Sequence, residues 1–228
     1  MNTKTCILLF SRTSASESKH KQLASLEKTN YKIHQSFLNR TLRTVHKTGL
    51  PVIKVDERGQ IGDSFGARFY NAIAHAFESG YEHVITVGAD CPSLLTQDIL
   101  YAEKELLAGR QCLGPSKDGG VYLLGISKVF FHQDFLQLTW QTDQLFQDLL
   151  FYFDKHQVSV VNLSEKLDVD NATQFNVISH LLSQQIDFAF LNDIFSVVQA
   201  RQIVFLFNPL LLLETLQHRG PPMLFSAA

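Results

Sequence analysis

The stretch "VITVGADCPSLL", residues 84–95, decides the fold. Four apolar or β-branched residues run into Gly88, and an aspartate, a cysteine and a proline then follow in a row. Pro92 cannot donate to a sheet ladder and biases the residue before it towards an extended conformation, so a strand must end here with Asp90 at its carboxyl end. Ligands of open α/β sheets bind beyond that end of the strands. The stretch predicts a ligand-facing carboxylate at position 90, although a turn capped by Asp90 explains the same residues.

Strand and helix patterns alternate on both sides of this stretch. We predict strands at 5–10, 51–55 and 83–88 and in "QCLGP", "GVYLLGI" and "VSVVNL". We predict helices at about 19–48, where two helices fit as well as one, at 64–77 and 96–109, in "TDQLFQDLLFYFDKH" and at 171–182. The polar "SRTSASES" after the first strand is predicted to be a loop. Such alternation is typical of a mainly parallel sheet with helices on both faces, so the fold class is α/β.

Residue types at the helix ends predict where two of the helices begin and where one of them ends. Asp63 or Ser64 is the expected N-cap of the helix at 64–77. Thr96 is the expected N-cap of the helix at 96–109, and Gly109 is its expected C-cap.

The charge of the chain is small but unevenly distributed. The 228 residues carry a net charge of −2, yet residues 1–50 hold nine lysines and arginines against two glutamates, and the rest holds eleven against twenty acidic residues. A basic N-terminal segment beside an acidic body favours a small anionic ligand over nucleic acid. A solvated basic helix face explains the same distribution equally well.

Several patterns bear on the location of the protein. The three cysteines form no CxxC pair, and the N-terminus lacks the features of a signal peptide. The longest apolar run, 203–213, is interrupted by Asn208 and Pro209 and is shorter than the ~20 residues that span a bilayer. We therefore predict a cytoplasmic protein with reduced thiols and no membrane span.

The C-terminal segment differs from the rest of the chain. We assign residues 1–186 to one domain and 187–228 to an apolar helical appendage. Six apolar side chains recur there at helical spacing: Phe188, Phe190, Leu191, Ile194, Phe195 and Val198. We expect this appendage to pack on the domain or on a second copy, and we predict a homodimer.

Two further acidic motifs stand at predicted strand ends. In "LGPSKDGGVYLLG" (113–125), Asp118 precedes two glycines that allow a close backbone approach to a ligand, although a tight hairpin turn explains them equally. In "LDVDN" (167–171), Asp168 and Asp170 alternate and so point the same way, although Asp170 or Asn171 also suits a helix cap. Convergent carboxylates repel one another unless a cation lies among them. Their hard oxygens suit Mg²⁺ or Mn²⁺.

The order and spacing of these motifs resemble one known family. It is the bacterial glycosyltransferase-like family of the GT-A nucleotide-diphospho-sugar transferase superfamily, a relative of the molybdenum-cofactor and phospholactate guanylyltransferases. The resemblance covers about residues 4–182. It rests on "QIGDSFGARFYNAI" (60–73), "VGADCPSL" (87–94), "LGPSKDGGVYLLGI" (113–126), "WQTD" (140–143) and "LDVDN" (167–171). It implies a GT-A fold, a nucleotide or nucleotide-sugar donor, a small-molecule acceptor and Mg²⁺ or Mn²⁺ as cofactor.

The resemblance also implies roles for individual residues. Asp90 matches the metal-binding aspartate, Asp170 matches a second position near the metal, and Asp118 with Gly119 and Gly120 matches the loop on the acceptor side. From these positions we predict that Asp118 acts with Asp90 in catalysis. We also assign Trp140 to the acceptor side, although a tryptophan in this place is more often a core or lid residue. The segment that borders the base and ribose matches Gln60, Gly62, Gly66 and Arg68.

The segment that cradles the donor phosphates in the family corresponds to residues 11–23. Here it contains no glycine, and Gln22 stands where the family has an arginine. Ser11, Lys19 and Lys21 are its candidate phosphate ligands, although a lysine lacks the planar fork of a guanidinium.

Three functional hypotheses follow from these residues. The first is a metal-dependent glycosyl or nucleotidyl transferase. The second, motivated by the altered segment 11–23, is a catalytically weakened nucleotide-binding or assembly protein of the same fold. The third is a phosphatase with Asp90 as nucleophile, which lacks the usual aspartate two positions on because Pro92 stands there. Cys91 is a further candidate nucleophile, and a packed thiol is its alternative.

Overall fold

The protein is described by a computed structural model over residues 4–184, with side chains to residue 178. Its strands are β1 (Thr5–Phe10), β2 (Val52–Val55), β3 (His83–Val87), β4 (Gln111–Pro115), β5 (Val121–Ser127) and β6 (Val160–Asn162). They form one sheet in the order β2-β1-β3-β5-β4-β6. Only β5 runs antiparallel to its neighbours β3 and β4 within this part of the chain. The predicted mainly parallel sheet is confirmed.

Helices cover both faces of the sheet. They are α1 (Ser14–His20), α2 (Glu27–His46), α3 (Phe65–Glu78), α4 (Thr96–Leu107), α5 (Leu145–Lys155) and α6 (Ala172–Gln184). Successive side chains of a strand point to opposite faces. Leu8 accordingly belongs to the apolar cluster of α3 and α5, whereas Ile7 and Leu9 belong to that of α4. Burying each such side chain stabilises the fold by about 1.5–3 kcal/mol.

The predicted loop after β1 was partly wrong, because α1 begins inside it. The Thr13 hydroxyl caps this helix by accepting the backbone N–H of Ser16 at 3.3 Å. Glu17 lies in the first turn and Lys19 and His20 in the last, which is the arrangement that the helix dipole favours. The run of serines concealed a short helix whose ends are well capped.

The predicted long helical stretch at 19–48 is divided between α1 and α2. The buried side chain of Asn30 holds the turn between them. Its oxygen accepts the backbone N–H of Leu23 at 2.7 Å, and its amide donates to the carbonyl oxygens of Ser18 and Lys21 at 2.7 and 2.9 Å. These bonds fix the position of Lys21 at the end of α1.

The predicted caps are partly confirmed. Ser64 caps α3 by accepting the N–H of Ala67 at 3.1 Å. Thr96 is the first residue of α4, and Leu95 is the N-cap. The Asp98 carboxylate accepts the N–H of Leu95 at 2.8 Å and so caps the start of the helix. At the other end the C-cap is Ala108 and not Gly109, which follows it with a φ of 81°.

Between residues 4 and 184 no helix is long and apolar enough to cross a membrane. The predicted appendage at 187–228, its boundary with the domain and the homodimer that it would form lie outside the described residues.

Candidate functional site

A cavity of 610 Å³ lies at the carboxyl edge of the sheet. The segments that follow β1, β2, β3, β4 and β6 all contribute to its wall, as expected where parallel strands end together. Three cationic residues line it, Arg12, Lys21 and Arg68, against seven acidic ones: Glu17, Glu57, Asp90, Asp118, Asp143, Asp168 and Asp170. The cavity is therefore strongly acidic even though the N-terminal fifty residues are basic.

Asp90 and Asp170 meet at the ammonium group of Lys21. The Nζ atom lies 2.7 Å from Asp90 Oδ2, 2.7 Å from Asp170 Oδ1 and 3.0 Å from Glu17 Oε1. Burial favours a neutral lysine, but the charges of Asp90, Glu17 and Asp170 outweigh it and hold the pKa of Lys21 above its usual range. Lys21 thus remains an ammonium ion bound by three carboxylates.

The backbone around Asp90 explains how this carboxylate is presented. A Cβ atom at Gly88 would lie 2.6 Å from Asp90 Oδ1, so a larger residue at position 88 would displace the carboxylate. The Asp90 carbonyl accepts the N–H of Val169 at 2.8 Å, which ties the segment of Asp168 and Asp170 to the end of β3. Burial raises the pKa of Asp90, but Lys21 more than compensates and lowers it overall.

Asp170 lines the cavity and does not cap α6. Asn171 caps that helix instead, since its side-chain oxygen accepts the N–H of Gln174 at 3.0 Å. The alternative explanation of this motif therefore applies to Asn171 alone, and Asp170 is left to bind Lys21.

Asp168 lies in the same wall with an unusual environment. Its Oδ1 atom is buried and accepts no hydrogen bond from the described residues. Burial, together with the charges of Asp90 and Asp118, raises the pKa of Asp168 to about 8. Such a carboxylate favours a proton or a cation as its partner.

The donor set suits a hard divalent cation in kind, since carboxylate oxygens are the ligands that Mg²⁺ and Mn²⁺ prefer. As the described side chains stand, however, no three acidic, histidine or cysteine residues converge closely enough to hold an ion. The ammonium of Lys21 lies between Asp90 and Asp170 instead. A metal ion fits this place only if Lys21 leaves it.

Asp118 combines the two roles that its motif predicts. Its Oδ1 atom accepts the N–H of Gly120 at 3.0 Å and the hydroxyl of Ser116, so it holds the hairpin turn between β4 and β5. The same residue lines the cavity together with Gly120. Gly119 has a φ of 86°, and a Cβ there would lie 2.0 Å from the Asp143 carbonyl oxygen, so this glycine allows the loop of Asp143 to approach.

The predicted phosphate segment is only partly directed at the cavity. Ser11 and Lys21 line it, whereas Lys19 is exposed and does not. Arg12 Nη1 lies 3.2 Å from Glu17 Oε2. The Glu57 carboxylate accepts the N–H and the hydroxyl of Thr13, each at 2.6 Å. Internal carboxylates therefore occupy much of the donor capacity of this segment.

The predicted base and ribose segment divides in the same way. Gln60 and Arg68 line the cavity, and Gly62 and Gly66 do not. A Cβ atom at Gly66 would lie 2.4 Å from Cδ1 of Trp140, so this glycine makes room for the indole ring.

Trp140 belongs to an aromatic cluster and not to the cavity wall. Its ring centroid lies 5.1 Å from those of Phe69 and Phe135 and 6.0 Å from that of Phe65. The next three residues, 141–143, do line the cavity. Trp140 therefore occupies a core position, and only the residues after it reach the cavity from this segment.

Sequence reasoning missed four charged residues of the wall: Arg12, Glu17, Glu57 and Asp143. Glu57 follows β2 by two residues, so the rule that located Asp90 at a strand end would have located Glu57 as well. Glu17 lies in α1, where the sequence predicts a loop, and no sequence pattern indicated its role in the wall. Cys91 is 3% exposed, and burial raises the pKa of its thiol, as expected of a packed cysteine.

One family model matches part of the chain. Residues 38–142 match the model of a family described as an uncharacterized protein conserved in bacteria, DUF2064. The match includes the motifs at 60–73, 87–94 and 113–126. No curated protein matches the chain in sequence.

Solved structures identify the fold. A protein of Desulfovibrio desulfuricans G20, provisionally described as a nucleotide-diphospho-sugar transferase, superposes with a TM-score of 0.75 at 20% identity over 86% of this chain and 96% of that one. The chain has the nucleotide-diphospho-sugar transferase fold. Further structures are similar only at TM-scores below 0.5. Two of them are the Mycobacterium tuberculosis H37Rv protein Rv0371c in complex with manganese (0.48; 14% identity; 77% and 98% covered) and a 4-diphosphocytidyl-2C-methyl-D-erythritol synthase from Anaerococcus prevotii DSM 20548 (0.47; 12%; 80% and 97%).

Proposed function

We propose that the protein is a metal-dependent transferase that uses a nucleoside-diphosphate-sugar or a nucleoside triphosphate as donor. The observation that supports it is the meeting of carboxylates from the ends of four strands in one cavity at the carboxyl edge of this fold. The donor phosphates would lie near Ser11 and Lys21, and the base and ribose near Gln60 and Arg68. The acceptor would lie beside Asp118 and Asp143.

The carboxylates divide the work of the reaction. Asp90 and Asp170 would hold Mg²⁺ or Mn²⁺, which neutralises negative charge on the departing phosphate. Asp118 would orient the acceptor hydroxyl and receive its proton. The acceptor oxygen then bonds to the α-phosphorus of a triphosphate as pyrophosphate leaves, or to the anomeric carbon of a sugar as the nucleoside diphosphate leaves.

A second function remains open on a specific observation. Glu57 and Glu17 already bind Thr13 and Arg12, which are donors that phosphates would otherwise use. A chain in which these contacts persist would bind a nucleotide weakly and turn it over slowly. This is the catalytically weakened binding or assembly protein of the same fold.

A thermal-shift screen separates these functions. Nucleoside triphosphates and nucleotide sugars would be tested with and without Mn²⁺, since a ligand at a hundred times its Kd stabilises the folded state by about 2.7 kcal/mol. We expect one donor to raise the melting temperature only when Mn²⁺ is present. Release of pyrophosphate or nucleoside diphosphate would then be measured with a panel of hydroxyl-bearing acceptors.

Variants sharpen the same experiment. Asp118→Asn should retain donor binding and lose turnover, whereas Asp154→Asn, at an exposed position of α5, should change neither. Donor binding without turnover in the unaltered chain would favour the weakened protein. No shift with any nucleotide would contradict the transferase and the nucleotide-binding form of the second function, and would leave only its assembly role.

A further inference from the structure

Lys21 occupies the place that the proposed function gives to a metal ion. Its Nζ atom lies between Asp90 and Asp170, at 2.7 Å from each. The Lys21 side chain as a whole is 18% exposed. Glu17 Oε1 lies 3.0 Å away on the same ammonium. A divalent cation needs carboxylate oxygens at about 2.0–2.2 Å, so it cannot share this position with an ammonium group.

We propose that Lys21 is an intramolecular counter-cation that competes with the divalent metal for Asp90 and Asp170. This inference rests on the proposed function for the metal position, and it adds how that position is controlled. With Lys21 in place, its charge offsets part of the charge of the carboxylates and the metal alone binds weakly. When Lys21 leaves, the carboxylates repel one another and the metal binds tightly.

The contacts of Lys21 permit this exchange without a change in the fold. Its backbone N–H donates to the carbonyl of Glu17 at 2.9 Å, and its own carbonyl accepts from Asn30 Nδ2 at 2.9 Å. The Nε2 atom of His34 lies 3.0 Å from the same carbonyl. The backbone is therefore fixed on both sides, and only the flexible four-carbon side chain has to move.

The exchange also couples the metal to the donor. Lys21 lines the same cavity as Ser11 and Arg12, so the phosphates of a donor would offer its ammonium group a new anionic partner. Drawing Lys21 to the phosphates would free Asp90 and Asp170 for the metal. Metal and donor would then increase each other's affinity, as linkage between two sites requires.

The alternative is that Lys21 forms a permanent structural ion pair. Removing one partner of a largely buried pair leaves carboxylates without compensation, so a variant at this position would be less stable under either explanation. Both explanations allow the variant, which has lost an ammonium beside the carboxylates, to bind a metal ion more tightly, but only the competition requires it and also predicts that Mn²⁺ displaces Lys21 in the unaltered chain. Displacement of Lys21 by Mn²⁺ in the absence of nucleotide is therefore the measurement that separates the two.

The first experiment measures binding of Mn²⁺ alone, from the loss of the free-ion signal in electron paramagnetic resonance. We expect Lys21→Met to bind Mn²⁺ about tenfold or more tightly than the unaltered chain. Lys155→Met is the matched control, because it removes an ammonium 2.7 Å from Asp134, which is not in the cavity wall. Equal or weaker Mn²⁺ binding by Lys21→Met, or no binding by either chain, would overturn the proposal.

The second experiment needs no variant and so holds even if Lys21→Met fails to fold. The unaltered chain is treated briefly with an amine-acylating reagent at rising Mn²⁺, and labelled lysines are located by mass spectrometry. We expect labelling of Lys21 to rise with Mn²⁺ while that of Lys155 stays constant. A Lys21 that remains unlabelled at every Mn²⁺ concentration contradicts displacement.

Neither measurement contains a nucleotide, so the two proposals fail separately. Tighter Mn²⁺ binding by Lys21→Met without nucleotide binding by any chain would leave the competition standing and remove the transferase. Mn²⁺-dependent nucleotide binding with equal Mn²⁺ affinity in Lys21→Met and the unaltered chain would do the reverse and leave Lys21 as a structural or phosphate-binding residue.

Discussion

Two neighbours determine what Asp90 can do. Gly88 leaves room for its carboxylate, and Lys21 supplies the charge that keeps it ionised in a half-buried place. The Asp90 side chain is 36% exposed, so solvent screens part of its attraction to Lys21. The function of Asp90 is therefore inseparable from whichever cation lies beside it.

Asp90→Asn tests the metal position. The amide oxygen still accepts a hydrogen bond from Lys21, so we expect the fold to persist. A neutral amide is a poor ligand for a hard cation, so Mn²⁺-dependent nucleotide affinity should fall about tenfold or more in calorimetry. Asp134→Asn is the control, because it also removes a carboxylate bound to a lysine. Unchanged affinity in Asp90→Asn would leave Asp90 as a structural residue.

Gly66 tests the packing behind the site. Alanine in a helix is favoured over glycine by about 1 kcal/mol, yet the added Cβ would meet the Trp140 ring at 2.4 Å. Overpacking of this kind costs about 1–3 kcal/mol, and the clash should win. We expect Gly66→Ala to lower the free energy of unfolding in urea by up to about 2 kcal/mol, the balance of the two. Gly59→Ala is the control, since its nearest contacts would be an ordinary 3.8 Å. A Gly66→Ala chain as stable as the original would show that Trp140 moves freely.

At the scale of elements, α1 depends on a contact made outside itself. A seven-residue helix is too short to be stable alone in water. Glu57, just beyond β2, holds its first residues through Thr13, and Lys21 holds its end through Asp90 and Asp170. The helix is thus attached to the sheet by carboxylates at both ends.

The contact between Glu57 and Thr13 should make stability depend on pH. Burial raises the pKa of Glu57, but the two hydrogen bonds from Thr13 outweigh it, so the folded-state pKa is below the usual value. A depressed carboxylate pKa stabilises the folded state above the unfolded pKa, and this contribution disappears as the pH falls through the folded pKa. We expect Glu57→Gln to be less stable than the original chain at about pH 7 and nearly equal to it at about pH 3.

Urea unfolding of both chains at each pH measures this difference. The exposed Glu165→Gln serves as the control and should show little difference at either pH. A difference between Glu57→Gln and the original chain that stays constant with pH would show that the charge of Glu57 is irrelevant and that only its shape matters.

The elements also show how far the sequence could be interpreted. Strands such as β1 and β3 are continuous apolar runs, so their positions and the carboxylate that follows β3 were predictable. The helix α1 was not predictable, because its serines favour loops and its stability comes from Glu57, which lies 44 residues beyond Thr13. Lys21 was predicted to bind phosphate, yet its contact with Asp90 and Asp170 depends on the placement of three separate elements. Local patterns carry no information about such contacts.

At the scale of the whole molecule, the charge distribution along the sequence differs from the charge distribution around the cavity. The basic residues of the first fifty positions predicted an anionic ligand, but the cavity wall combines three cations with seven carboxylates. An anionic donor would be repelled from such a wall unless cations accompanied it. This imbalance is consistent with a donor that enters together with a divalent metal ion.

From their sequence, residues 187–228 are expected to form a dimer interface. The stripe that contains Phe188, Leu191 and Phe195 is followed by a further apolar run at 203–213, and monomers rarely expose apolar patches above a few hundred Å². Burying each such side chain contributes about 1.5–3 kcal/mol, and cyclic dimers are the commonest assembly, so we expect a homodimer through this segment. Light scattering of the full chain at micromolar concentration should give twice the mass of one chain. Phe195→Asp should give a monomer and Asp193→Asn, off the stripe, a dimer. A monomeric full chain would contradict the prediction.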